Sequence, residues 1–249
     1  MSSSKKIIAV IPARLASSRL KQKLLLKLED KTILQRTFEQ VSSSKHVSEV
    51  HIATDSERIF EHAKTFTDNV AMTSEDHQSG TDRIAELAEK NHDWDIVINV
   101  QGDEPFINPE DIDKVAEVFL HDPLMEMASL YHEISMDDRS EFENPNNVKV
   151  VTDANDCALY FSRAPIPFVR DSLKDQKPQA KKHIGLYAYK RDTLLALTQL
   201  PNSKLEQLEK LEQLRALENG IKIKMLKSSS ASLGIDTEED FQQAKVLLG

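Results

Sequence analysis

The sequence predicts an α/β fold, a doubly wound and mostly parallel sheet that carries a smaller antiparallel insertion. Three observations lead there. Short, continuous apolar runs recur through the first half of the chain, the pattern of parallel strands covered on both faces. Apolar residues at helical spacing lie between these runs, so strand and helix alternate. After Met127 the long helical stretches give way to short strands joined by turns.

The first run, residues 6–11, stops at Pro12. Residues 49–54 and 95–101 have the same character, and 69–72 is a shorter strand of the same kind. Between them Ile33, Leu34, Thr37, Phe38 and Val41 share one helical face, as do Ile59, Phe60, Ala63 and Phe66, and then Ile84, Leu87 and Ala88. A helix over 109–120 opens on proline at a tolerated first-turn position and turns Ile112, Val115, Ala116 and Phe119 to one side. Residues 128–133, 148–152 and 158–162 read as the strands of the antiparallel insertion, and 183–189 as another strand. The polar stretch 170–182 reads as a mobile loop. Ser203-x-x-Glu206 and Thr237-x-x-Asp240 are capping-box signatures, the second with Asp in place of Glu. Leucines at 205, 208, 211, 214 and 217, read as one helix, wind around it, because each three-residue step falls about 60° short of a full turn. Such a stripe predicts burial against more than one surface, a partner subunit included.

A chain of 249 residues suits one domain, 1–249, with the antiparallel portion at about 127–200. With 39% hydrophobic and 29% charged residues it has an ordinary globular composition. No apolar run approaches the roughly 20 residues that span a bilayer, and the first residues lack a signal-peptide core, so a soluble protein is expected. A single cysteine, Cys157, excludes an internal disulfide or a cysteine metal cluster and points to the cytoplasm. The net charge of −9 argues against a nucleic-acid surface, so any phosphate site must be a local basic patch.

One such patch follows the first strand. Pro12-Ala-Arg14-Leu-Ala-Ser-Ser-Arg19-Leu-Lys-Gln-Lys23 places four cations, Arg14, Arg19, Lys21 and Lys23, within ten residues. It lies beyond the carboxyl end of a parallel strand, where open α/β sheets bind ligands. Ala16, Ser17 and Ser18 are small enough to let backbone N–H groups approach an anion. Guanidinium groups bind phosphate oxygens in pairs, and a lysine can neutralise a leaving pyrophosphate. On residue chemistry alone, the same loop reads equally as a solvated basic segment.

The run 95–101 leads into Gln101-Gly-Asp103-Glu-Pro105, where Gly102 permits close approach and Asp103 suits Mg²⁺, an ion held by one or two carboxylates plus phosphate oxygens. Asp236 is a second candidate, although an aspartate before Thr237 can also complement a helix N-terminus. Ser79, Gly80 and Thr81 offer hydroxyl and backbone groups to a base or sugar edge, or simply cap the following helix. His77 has no partner at metal spacing and reads as a loop histidine.

Taken in order, Ile11-Pro-Ala-Arg14, Ser18-Arg19, Ala53-Thr-Asp55, Met72-Thr-Ser74, His77-Gln-Ser-Gly-Thr81, Asn99-Val-Gln-Gly-Asp-Glu-Pro105, Asn144-Pro145, Val148-Lys-Val-Val151, Ala158-Leu-Tyr-Phe-Ser-Arg-Ala-Pro-Ile-Pro167, His183-Ile-Gly185, Leu208-Glu-Lys-Leu-Glu-Gln-Leu-Arg215 and Asp236-Thr237 span nearly the whole chain. In this set the chain resembles the CMP-Kdo synthetases, the 3-deoxy-manno-octulosonate cytidylyltransferases. The resemblance implies a Rossmann-like nucleotidyltransferase domain whose antiparallel portion forms a homodimer and helps build a sugar pocket. It implies CTP and an acidic eight-carbon sugar as substrates, Mg²⁺ on Asp103 and Asp236, and a product used for lipopolysaccharide. Pro12, Ala13 and Arg14 would lie near the cytosine and triphosphate, with Ser79, Gly80 and Arg83 also on the nucleotide. Gln101, Arg163, His183, Tyr187, Glu206 and Gln213 would shape the sugar site, where Arg163 can pair with a carboxylate.

One departure is plain: where the family has Arg-(Leu/Phe)-Pro-Gly-Lys-Pro, this chain has Arg19-Leu-Lys-Gln-Lys23-Leu. The change predicts a different backbone path for that loop, with Lys21 adding charge. The expected reaction is in-line attack of the sugar's anomeric 2-hydroxyl on the α-phosphorus of CTP, with Arg19, Lys23, Asp103 and Asp236 as the catalytic set and Arg19 and Lys23 stabilising the leaving charge. Its rivals are a cytidylyltransferase for sialic acid or an 8-amino Kdo analogue, a sugar-1-phosphate nucleotidyltransferase, and a catalytically silent nucleotide-binding protein.

Overall fold

The computed structural model describes residues 5–16, 19–171, 178–230 and 234–248. Its first half alternates strand and helix: β1 (Ile7–Ala13), a 3-10 turn (Lys23–Leu25), the short hairpin strands β2 (Lys27–Leu28) and β3 (Lys31–Thr32), α1 (Ile33–Ser42), β4 (Glu49–Thr54), α2 (Glu57–Ala63), β5 (Val70–Met72), α3 (Gly80–Lys90), β6 (Ile96–Asn99) and α4 (Pro109–His121). The second half is β7 (Met127–Ser135), α5 (Arg139–Phe142), β8 (Lys149–Thr152), β9 (Ala158–Ser162), β10 (Gln179–Lys190), α6 (Arg191–Gln199), α7 (Lys204–Glu209), α8 (Gln213–Glu218), β11 (Ile223–Lys227) and α9 (Glu238–Leu248).

The main sheet runs β11-β7-β10-β6-β1-β4-β5. β1 is parallel to both β4 and β6, and its alternate side chains face two cores. Ile7, Ala9 and Ile11 join the residues of α1, α2, α4 and α9 on one face, while Ile8 and Val10 join those of α3, α6 and α8 on the other. Burial on both sides explains why the strand is a continuous apolar run.

The mostly parallel sheet carries the smaller antiparallel portion that was expected: β8 and β9 stand off the main path, antiparallel to each other, with β8 antiparallel to β10, while β7, β10 and β11 extend the main sheet, in which β10 alone runs against its neighbours. Details of individual elements are corrected. The loop expected over 170–182 is shorter, because 179–182 already belong to β10, whose Lys181 and Lys182 pair with both β7 and β8; residues 172–177 lie outside the described ones. Polarity misled here, since lysines on a half-covered strand look like loop. The leucine stripe does not wind around one helix. Lys210 takes a left-handed conformation (φ 54°) and splits it into α7 and α8, leaving Leu208 exposed while Leu211 and Leu214 are buried. β1 also runs through Pro12, which is tolerated because β6 has left the ladder at Val10. No helix among the described residues is long and apolar enough to cross a membrane.

Candidate active site

The cleft opens where β1 and β6 part. Their pairing ends at Val10 and Asn99, whereas β1 continues beside β4 to Ala13 and Thr54. Chains leaving the carboxyl ends of β1 and β6 therefore diverge around a crevice, the place where such sheets take ligands. It encloses about 350 Å³ between Pro12, Arg14, Arg19 and Lys23 on one side, Gln101 and Asp103 on another, and Ser79, Gly80 and Asp236 across it.

Each wall has a local reason. Ser79 caps α3, accepting from the Asp82 backbone N–H (3.1 Å) while its own N–H donates to Asp82 Oδ2 (3.0 Å). Ser79 is thus a helix cap, and the capped helix end faces the cleft. A Cβ on Gly80 would come within 3.2 Å of Pro12 Cγ, so glycine lets α3 press against β1. Arg14 Nη2 donates to the carbonyls of His77 (2.5 Å) and Ser79 (3.2 Å), tying the two walls together. His77 itself pairs with Glu86, 2.7 Å away, which explains a histidine there without a metal.

The electrostatic centre is Lys23. Its ammonium hydrogen-bonds Asp103 and sits 2.6 Å from Asp236 Oδ1, while Arg19 Nη2 lies 3.0 Å from Asp236 Oδ2. Burial works to lower the Lys23 pKa, but the charges and hydrogen bonds of the two aspartates outweigh it and raise it. Asp236 is not a helix cap: Thr237 and Asp240 supply the capping bonds of α9, and the Asp236 carboxylate turns to Lys23 and Arg19. Two carboxylates already share one cation, so the donor set fits Mg²⁺ completed by phosphate oxygens. Among the described residues no three His, Cys, Asp or Glu side chains gather as a self-sufficient metal cage. Ser17 and Ser18 lie outside the described residues.

The sugar-side candidates are spread over several elements: His183 and Tyr187 on β10, Glu206 on α7, Gln213 on α8, Arg163 just after β9 and Gln101 just after β6. A register shift between Ile184 and Tyr187 interrupts the β10 ladder, and the rings of His183 and Tyr187 lie 5.2 Å apart. Burial holds the His183 pKa down to about 3, and Nε2 lies 3.0 Å from Ser129 Oγ, so the ring is neutral. Burial also pushes the Tyr187 hydroxyl well above its ordinary value. Arg163 is fixed by three carbonyls, those of Glu209 (2.7 Å), Pro145 (2.9 Å) and Lys210 (3.3 Å). Each Nη nitrogen still carries a second N–H for an anion.

Other candidates are placed differently. Ala13 is fully buried in β1 and offers a ligand no side chain. The Arg83 side chain is completely buried and hydrogen-bonds Asp55 and Thr73, so it braces the loops after β4 and β5 rather than facing the cleft. Both Glu206 oxygens bind the Arg215 guanidinium (2.6 and 2.9 Å), and one also closes the Ser203 capping box. Gln213 is buried in α8.

The chain matches the cytidylyltransferase family model over residues 8–223. It is 47% identical over 243 residues to the 3-deoxy-manno-octulosonate cytidylyltransferase of Chloroherpeton thalassium, and 47% identical over 245 residues to that of Flavobacterium johnsoniae, covering 98% of every chain involved. The chain belongs to the 3-deoxy-manno-octulosonate cytidylyltransferase family. A solved structure of CMP:2-keto-3-deoxy-manno-octonic acid synthetase complexed with CTP superposes with a TM-score of 0.91 at 41% identity, covering 98% of both chains. At 15% identity, 4-diphosphocytidyl-2C-methyl-D-erythritol synthase from Anaerococcus prevotii shares only the fold, with a TM-score of 0.62.

Two residues that touch the candidates were not singled out by the sequence reading. Glu212, at the start of α8, hydrogen-bonds the Ser79 and Thr81 side chains, and burial raises its pKa against those bonds and the charge of Arg215. It links the β10 side of the molecule to the end of α3. Its signal was an acid between the leucines at 211 and 214, which the leucine periodicity obscured. Lys149 is fully buried, its ammonium donating to the carbonyls of Asn144 (3.0 Å), Asn147 (2.5 Å) and Arg163 (2.8 Å). A lysine within a strand gave no such indication.

Proposed function

We propose that this protein transfers CMP from CTP to the anomeric 2-hydroxyl of 3-deoxy-manno-octulosonate, an acidic eight-carbon sugar, releasing pyrophosphate. The convergence of Asp103 and Asp236 on Lys23, at the carboxyl ends of β1 and β6, carries the reading. The sugar oxygen bonds to the α-phosphorus, the bond from that phosphorus to the bridging oxygen breaks, and the hydroxyl proton passes to solvent. When bound by Asp103 and Asp236, Mg²⁺ supplies Lewis-acid polarisation of the triphosphate. Lys23 then exchanges its carboxylate partners for phosphate oxygens, and with Arg19 neutralises charge growing on the pyrophosphate. Ser79 and Gly80 offer the end of α3 to the nucleotide, while Arg14 holds that end against β1.

On the acceptor side Arg163 pairs with the sugar carboxylate, and Gln101, His183 and Tyr187 meet its hydroxyls through neutral hydrogen bonds. The antiparallel portion leaves Leu159 61% and Phe168 87% exposed, which supports a homodimer through that portion. A cytoplasmic enzyme whose product serves lipopolysaccharide assembly is the corresponding setting. Incubation with CTP, Mg²⁺ and 3-deoxy-manno-octulosonate should release pyrophosphate and yield the CMP-linked sugar in equal amounts. Faster turnover with sialic acid or an amino analogue would reassign the acceptor, and binding of CTP without turnover would favour the silent protein.

A further inference from the structure

Gln22 has φ 52° and ψ 34°, the left-handed region that residues with a Cβ enter at a cost and glycine enters freely. It immediately precedes Lys23 and starts the turn that aims it. The Leu25 N–H donates to the Gln22 carbonyl (2.9 Å) and the Leu26 N–H to that of Lys23 (3.0 Å). This turn buries Leu24 against Gly102, where a Cβ would lie 3.4 Å from either Leu24 methyl. The backbone angle at Gln22 therefore sets the direction in which Lys23 meets Asp103 and Asp236.

Something must hold a glutamine in a conformation that favours glycine. Arg58, in the first turn of α2, donates from Nη1 to Gln22 Oε1 at 2.8 Å. Arg58 is exposed and makes no other hydrogen bond or ion pair among the described residues. Its base is firm: Ser56 caps α2, and the preceding Asp55 is bound to the buried Arg83. The geometry points to Arg58 as a positioning residue for nucleotide binding, which clamps Gln22 in its left-handed state and so presents Lys23 to the triphosphate. The inference rests on the reading of Lys23 given above.

A double-mutant cycle tests it, with CTP affinity by calorimetry and the CTP KM as readouts. Arg58→Ala should weaken CTP about three- to tenfold in the wild-type background, the range of a single ordinary hydrogen bond, with an unchanged melting temperature. In the Gln22→Gly background, where the backbone needs no clamp, the same substitution should change CTP affinity less than about twofold. The wild-type loss should persist at about 0.5 M salt, since a through-space charge effect would be screened there. Equal losses in both backgrounds, no loss in either, or a loss that salt removes would overturn the clamp alone. Failure of the wild-type protein to bind CTP at all would overturn the proposed function, and the clamp with it.

Discussion

The two regions that carry the candidate site residues use opposite chemistry. On the β1 side, Arg19, Lys23, Asp103 and Asp236 form a charged cluster carried by loops, with Asp236 47% and Arg19 60% exposed. On the β10 side, His183 is neutral, Tyr187 is held protonated by burial, and Arg163 is locked by backbone carbonyls. In the proposed mechanism the first set exchanges partners, because Lys23 occupies the two carboxylates proposed for Mg²⁺. The second set, proposed for the sugar, keeps its partners. Mobile charge and fixed shape are thus divided between the two regions.

The division is broken most severely at Asp103. Asp103→Asn removes one carboxylate without changing volume and should cut pyrophosphate release by about 10³-fold or more while leaving the circular dichroism spectrum unchanged. Asp236→Asn should follow it with little change in melting temperature, because its carboxylate does not cap α9. A melting temperature that falls while activity persists would return Asp236 to a structural role.

Arg163→Ala probes the other region, and should raise the sugar KM about ten- to a hundredfold with a much smaller effect on the CTP KM. Equal effects on both substrates would make Arg163 a brace for the 145 and 209–210 segments only. Arg215→Met separates scaffold from site. It strands Glu206, whose pair is 12% and 10% exposed, and should cost about 3 kcal/mol of stability in denaturant titration. Activity per folded molecule should be retained; its loss would bring Glu206 back to the sugar.

The effect spread over the widest range of conditions is the pH dependence of the β10 side. The folded His183 titrates at about 3, below its ordinary 6.5, so the unfolded chain takes up the proton first. Its contribution to stability is constant above about pH 6.5 and declines as pH falls from there toward 3, by at most about 1.4 kcal/mol per unit. His183→Gln should flatten that slope, and an unchanged slope would place the titration elsewhere.

How much of this was legible depended on which physical signal each part emits. Two-sided burial writes continuous apolar runs, so β1, β4 and β6 could be read directly. The loops after them announced the cleft by cations and carboxylates unusual at their positions. Strand β10 hid its first residues because Gln179, Lys181 and Lys182 are polar, and hydrophobic pattern alone treats a half-covered strand as loop. The break at Lys210 hid because no glycine or proline marks it. Gln22 carries no local signal of its left-handed turn; only the glycine that the family has at its place marked the position. Burial of Arg83 and Lys149 was invisible, since charge predicts exposure until the partners are known.

The division of labour is tested most directly by Mn²⁺ binding, followed by electron paramagnetic resonance with and without CTP. The wild-type protein should bind Mn²⁺ much more tightly when CTP is present, because phosphate oxygens complete the site and Lys23 moves to the triphosphate. Asp103→Asn and Asp236→Asn should each weaken that binding about tenfold or more, and Arg163→Ala should leave it unchanged. Mn²⁺ binding indifferent to both aspartates, or lost with Arg163, would contradict the account.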